Sequence, residues 1–279
     1  MTLRRTISYV LLSLVSAISM AGQTTQSSDR RITKTDRFDF GAGGSVTITG
    51  APSGSIRVVG GSKSEVEIVA EIEISSANGA DFAKLGDVTG FLANNDNVRA
   101  TISSIGSHNK FGLKKLPKNF PKHLLAVPYR VNYTITVPHY TDVEVEGGRG
   151  DFSISGVEGA LSVNLIESKA DIEITSGAAT VTIGTGTANV SFGAKGWRGR
   201  AASIQVAKGD LNVRLPINAS ANVSAVVLRT GAIENNISDL KPLDRTVPFS
   251  AKSIAAKSGV GGPPLKFVVG DGVLRLARL

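Results

Sequence analysis

Between Asp142 and Leu215 the chain repeats one short phrase: polar, apolar, polar, apolar, then glycine or a small polar corner. The apolar pairs are Val143/Val145, Phe152/Ile154, Leu161/Val163, Ile172/Ile174, Val181/Ile183, Val190/Phe192, Ile204/Val206 and Leu211/Val213. First members of successive pairs stand 9, 9, 11, 9, 9, 14 and 7 residues apart. Alternation with a period of two marks a strand with one dry face and one wet face. A fixed short period marks stacked units, each burying its apolar face only against its neighbours. The corners are too short to hold crossover helices. Two architectures remain. The expected fold class is all-β, a parallel β-solenoid (β-helix-like) of short stacked strands; the alternative is an antiparallel β-sandwich. The near-constant period of nine favours the solenoid, because stacked coils must stay in register. Each inward Ile, Val or Leu would contribute roughly 1.5–3 kcal/mol on full burial.

The same rhythm precedes the ladder. Val46/Ile48, Ile56/Val58 and Val66/Ile68 alternate with polar neighbours between glycines, which defines an N-terminal β region over 31–103. Within it, residues 78–95 break the pattern. Phe82, Leu85, Val88 and Leu92 recur at helical spacing and predict a short helix or loop. Residues 104–125 form a basic loop insertion, and 126–279 the main β-strand-repeat region. In the latter, Tyr129–Val137 alternates strictly up to Pro138. Strands are also expected at Ala221–Leu228, around Val247–Ser250, and on both sides of Asp271-Gly272.

The first 21 residues have the layout of a secretory signal peptide. Arg4 and Arg5 open it, an uncharged, largely apolar run from Ile7 to Met20 follows, and Ser19-Met20-Ala21 fits a cleavage site. A polar linker, 22–30, comes next and is expected to be disordered. The chain has no cysteine, so an exported form must be stabilised by packing alone. The expected localisation is exported: periplasmic, cell-surface or secreted.

The formal charge is +8, unevenly spread. From Asn97 to Thr141 there is no Asp or Glu, while Arg99, Lys110, Lys114, Lys115, Lys118, Lys122 and Arg130 all fall there. Such a patch attracts anionic surfaces, less so as salt rises.

Four phrases carry a family resemblance: SVTITGAPSGSIRVVGGSKSEVEIVAEIEI, NYTITVPHYTDVEVEGGRGDFSISGVEGALSVNLIESKADIEITSGAATVTIG, KGDLNVRLPINASANVSAVV and GGPPLKFVVGDGVLRLARL. Their strand, Gly-Asp or Gly-small corner, strand pattern resembles a bacterial "putative-adhesin" β-strand-repeat family of unknown function. The resemblance implies an envelope-facing β-solenoid-like domain and brings no catalytic motif. Corners at Ser168-Lys169-Ala170 and Gly186-Thr187-Ala188 lack the usual Gly-Asp, and the basic insertion is a second departure.

Little catalytic chemistry is legible. His108, His123 and His139 lack metal-ligand spacing, and no cysteine assists them. No G-x-S-x-G occurs. The carboxylate pairs Glu144/Glu146 and Asp171/Glu173 alternate with inward residues, so both members of each pair face outward. Arg149-Gly150-Asp151 spells an integrin-recognition tripeptide but coincides with an expected corner between strands. No catalytic residue, metal ligand or cofactor is therefore assigned. Ligand-binding candidates are basic residues interleaved with aromatics. They comprise Lys110, Phe111, Lys114, Lys115, Lys118, Phe120 and Lys122 in the loop, and Trp197, Arg198 and Arg200 at the widest gap in the ladder.

The expected function is a non-enzymatic, exported envelope or surface scaffold, adhesin-like, touching anionic polysaccharide or a membrane surface through its basic loop. No nucleic-acid partner is expected. The alternatives are a carbohydrate-active β-helix enzyme and an envelope-stress regulatory protein.

Overall fold

The structure, a computed structural model, describes residues 30–75, 78–109, 116–193 and 197–279. The expected signal segment lies outside the described residues, as does the linker up to Arg30, which itself opens the first strand.

The described residues are all-β apart from one α-helix and two short 3-10 turns. Its first part holds β1 (Arg30–Asp39), β2 (Ser45–Thr49), β3 (Ile56–Gly61), β4 (Glu65–Ile74), the helix α1 (Gly79–Val88), β5 (Gly90–Asn95) and β6 (Arg99–Ile105). The ladder comprises β7 (Tyr129–Pro138), β8 (Asp142–Arg149), β9 (Phe152–Ser155), β10 (Leu161–Ile174), β11 (Ala178–Phe192) and β12 (Ala201–Leu215). The last part adds β13 (Ala221–Val227), β14 (Ile233–Asn235), β15 (Lys241–Pro242), β16 (Ser253–Ser258), β17 (Pro264–Asp271) and β18 (Leu274–Arg278).

All eighteen strands join in one mixed sheet that does not close. It divides into two runs that share the long strands β10, β11 and β12. The first run is ordered β5-β6-β2-β8-β10-β11-β12-β17-β13-β16-β15. The second is ordered β1-β4-β7-β3-β9-β10-β11-β12-β18-β14. Neighbours from β8 and β9 through β12 pair in parallel. Antiparallel pairs occur only in the outer layers, among β1, β4 and β7, between β5 and β6, and among β13, β15 and β16.

The register explains the sequence period. Asp171 lies beside Asn189, 18 residues on, and Asn189 beside Asn212, 23 residues on. One full repeat therefore contributes a strand to each run, and the nine-residue sequence period is half a repeat. Every residue of the eight apolar pairs is buried. Both runs feed one hydrophobic core. Phe192 of the second run stands edge-on to Phe267 of the first, with ring centroids 6.2 Å apart.

Leu161/Val163 and Ile172/Ile174, read as two strands, belong to the single strand β10; β11 and β12 each merge two pairs in the same way. At Ser168, Gly186 and Gly209 the chain bends from one run to the other while its neighbours stay paired. The Ser168 and Gly186 corners, which lack Gly-Asp, are bends within a strand, as is the Gly209-Asp210 corner. Two further expectations are corrected. Leu92 belongs to β5, since α1 ends at Val88. Val247–Ser250 is not a strand: Oδ1 of Asp244 accepts the Thr246 amide at 2.8 Å in a turn, and Pro248 has no amide to offer a ladder. The strand lies later, in β16.

An early and a late pair of strands thread inward. β2 and β3 lie between β6/β7 and β8/β9, and β17 and β18 lie between β12 and β13/β14. That detour accounts for the irregular rhythm of residues 216–260. Beside the outer layer at the N-terminal end lies α1. Its N-cap, Asn78, accepts the Ala80 amide at 2.9 Å, and Nζ of Lys34 donates to the Gly86 and Thr89 carbonyls at 2.8 and 2.7 Å.

Candidate functional site

The described parts of the two basic-aromatic clusters lie at opposite seams between the runs. The segment joining β6 to β7 leaves the C-terminal end of a first-run strand and enters the N-terminal end of a second-run strand. Its described ends therefore lie at the seam where the long strands bend. Trp197, Arg198 and Arg200 connect the end of β11 to the start of β12, on the other seam. The geometry does not merge them into one surface.

Among the loop candidates, Lys110, Phe111, Lys114 and Lys115 lie outside the described residues. Lys118 and Lys122 are exposed. Phe120 turns inward against the core, and Leu124 in the 3-10 turn Lys122–Ala126 is fully buried. Nε2 of His123 stands 3.5 Å from Oδ2 of Asp81 on α1. Apolar anchors thus hold this stretch down while its cations face water. At the other seam, Trp197 packs edge-on against Phe192 at 5.3 Å, with its indole nitrogen buried and unpartnered. Its ring is core material. Arg198 and Arg200 are exposed.

Where this loop joins β6 and β7, a small polar cluster meets the core. The Tyr133 hydroxyl lies 2.7 Å from Ser104 Oγ, and burial pushes its pKa up to about 12. Beside it the Tyr129 hydroxyl contacts Nδ1 of His108. Burial raises the pKa of Tyr129 and lowers that of His108.

The most ordered polar surface is elsewhere, on the outer face of the second run. Parallel register places Arg57, Ser153, Asp171, Asn189, Asn212 and Arg275 in one row across neighbouring strands. Nδ2 of Asn189 donates to Oδ1 of Asp171 at 2.8 Å, and Nδ2 of Asn212 to Oδ1 of Asn189 at 2.8 Å. Arg275 closes the row, donating to Asp210 at 2.9 Å and Glu234 at 2.7 Å. The Val273 amide, and then the Arg275 guanidinium, hold the Asp210 carboxyl below its usual pKa.

The chain shows similarity to solved structures. One is a putative cell adhesion protein from Clostridium sporogenes, 12% identical, covering 90% of this chain and 100% of that one, TM-score 0.43. Another is a putative adhesin from Bacteroides fragilis, 13% identical, covering 91% and 99%, TM-score 0.34. A third is a putative lipid binding protein from Parabacteroides distasonis, 11% identical, covering 88% and 96%, TM-score 0.24. No protein-family model and no curated protein matches the sequence.

The remaining candidates have structural employment. Oε2 of Glu144 accepts from Thr47 at 3.2 Å, Asp171 belongs to the polar row, and Glu173 accepts the Gly156 amide at 3.3 Å. Gly150 of the Arg-Gly-Asp triplet is a bend at φ +145°, and Arg149 pairs with Glu167 at 3.2 Å. Nδ1 of His139 bonds the Gly156 carbonyl at 2.7 Å. Among the described residues no three metal-ligating side chains cluster, and no helix is long and apolar enough to cross a membrane. A nine-residue period does not disclose this row: Asp171 and Asn189 stand 18 apart, and the longer step of 23 to Asn212 follows from the wider gap before β12.

Proposed function

We propose that the protein is an exported, surface-displayed, non-enzymatic scaffold of adhesin-like kind, built as a two-sheet parallel β-solenoid. The observation that carries this reading is the parallel register of β8 through β12. Each repeat buries the same positions and turns the same polar positions outward. A fold so built converts stacking into an ordered exterior, and its outward carboxylates accept bonds from neighbours rather than converging. In this reading residues 1–21 direct export. The acid-free basic segment, in which Lys118 and Lys122 face water, contacts an anionic polysaccharide or anionic membrane surface.

The test is retention of the chain lacking residues 1–21 on heparin and on vesicles containing phosphatidylserine. Binding should weaken steeply with salt, and should be lost when Lys110, Lys114, Lys115, Lys118 and Lys122 are all changed to Ser. Equal retention of both proteins would remove the loop from the account.

A further inference from the structure

Three contiguous depressions, of about 610, 430 and 290 Å³, mark the outer face of the second run. Arg57 lines all three. Together they extend from Glu71 on β4 and Arg130 on β7 to Arg214 on β12. That path crosses seven neighbouring strands; six steps of ~4.8 Å make a trough roughly 29 Å long. It lies in the middle of the sheet, where every strand is already paired on both sides. No backbone edge is open there for a peptide to add as a strand.

The lining is close to electroneutral. Glu71, Glu73, Asp151, Asp171 and Glu173 supply negative charge, and Arg57, Arg130, Lys169 and Arg214 supply positive charge. Such a balance draws in neither a polyanion nor a polycation. It does present donors and acceptors in close alternation, with the serines and asparagines of the polar row able to do both. Asp171, Asn189 and Asn212 are fixed by the row's own hydrogen bonds, so little of their side-chain freedom is left to lose on binding. By contrast, among the described residues the guanidiniums of Arg57 and Arg214 have no hydrogen-bond or ion-pair partner, and both line the main depression. The polar groups repeat once per strand, at ~4.8 Å. That spacing is close to the length of one sugar ring in an extended polysaccharide.

We propose that this trough binds an uncharged, hydroxyl-rich, extended glycan lying across the strands, about one ring per strand. The site is separate from the basic loop in place and in chemistry. Its binding is insensitive to salt, whereas the loop's is not.

Affinity electrophoresis of the full chain in gels containing hydroxyethyl cellulose, laminarin, xyloglucan or galactomannan tests it. At least one polymer should retard the protein, equally at low and high salt, and equally when the five loop lysines are Ser. Asp171→Ala, and separately the pair Arg57→Ala/Arg214→Ala, should weaken retardation about tenfold, the worth of one or two hydrogen bonds. The arginine pair tests the site even if Asp171→Ala misfolds, because removing these guanidiniums leaves the Asp171–Asn189–Asn212 hydrogen bonds intact. No retardation by any of the four polymers overturns the proposal. So does retardation that salt abolishes, or retardation unchanged in the arginine pair. Loss of heparin binding in the five-lysine protein reports only on the loop, so the two readings fail independently.

Discussion

A Cβ placed on Gly209 would fall 1.8 Å from the carbonyl oxygen of Gly186, its partner one repeat below. The same closeness recurs along the bend seam: Gly272 stands against Gly209, and Gly186 against Ser168. The contact is with backbone, so no side chain can move aside. Gly209 also holds φ at +127°, a conformation only glycine adopts without strain. The two runs can pack face to face only because the chain turns this tightly.

Gly209→Ala should therefore cost at least about 3 kcal/mol, clash and backbone strain acting together. Gly43→Ala is the control. Gly43 has φ +81° but open space around its Cα, so only strain of about 1 kcal/mol is expected. Chemical denaturation of both variants checks this. Similar midpoints for the two would mean the seam is looser than the geometry describes.

Phe192 is the second pressure point. It touches Trp197 at 5.3 Å and Phe267 at 6.2 Å, linking the two runs to the loop between β11 and β12. Phe192→Ala should destabilise by about 3–5 kcal/mol. Trp197 is the chain's one tryptophan, so its fluorescence reports this contact directly. Its emission should shift to the red in the variant before global unfolding. An unchanged native spectrum would show that Trp197 does not rest on Phe192.

These two sites mark what the sequence discloses and what it hides. The dry face was legible: alternation forced the eight apolar pairs, from Val143/Val145 to Leu211/Val213, inward, and each of these residues is buried. Strand number was not. A glycine between two apolar pairs reads as a turn, yet Gly186 and Gly209 are bends inside strands that stay paired. The pairing partner was also hidden. β17 neighbours β12 because residues 216–263 travel outward and back, a route fixed by core packing rather than local propensity. Among site residues, positive charge could be read directly from Lys118 and Lys122. The burial of Phe120 and Trp197 could not, because an aromatic flanked by lysine or arginine looks alike whether it faces water or core.

Lys34 tests how α1 is held. Its ammonium donates to two carbonyls at the helix C-terminus, where the backbone dipole favours a cation. Lys34→Met keeps the apolar stem and removes those bonds. A loss of about 1–2 kcal/mol is expected, with faster amide hydrogen exchange in Gly79–Val88 than in β10 or β11. Uniform acceleration across the chain would mean that α1 is not separately anchored.

Tyr133 sets the alkaline limit. Its side chain is buried and its pKa is raised from 10.0 to about 12. A raised folded-state value means that its stabilising contribution is complete below pH ~10, the unfolded value, and is lost as pH climbs towards ~12. The full loss is about 3 kcal/mol for a shift of about two units. Tyrosinate absorbance should show this hydroxyl ionising late, together with loss of the fold. Tyr133→Phe should remove that part of the alkaline sensitivity. It leaves Ser104 Oγ without its 2.7 Å partner, at a cost of about 1–3 kcal/mol at neutral pH. The two proteins' stabilities should therefore converge between pH ~10 and ~12. A constant gap across that range would mean that the Tyr133 hydroxyl is not shielded by the core.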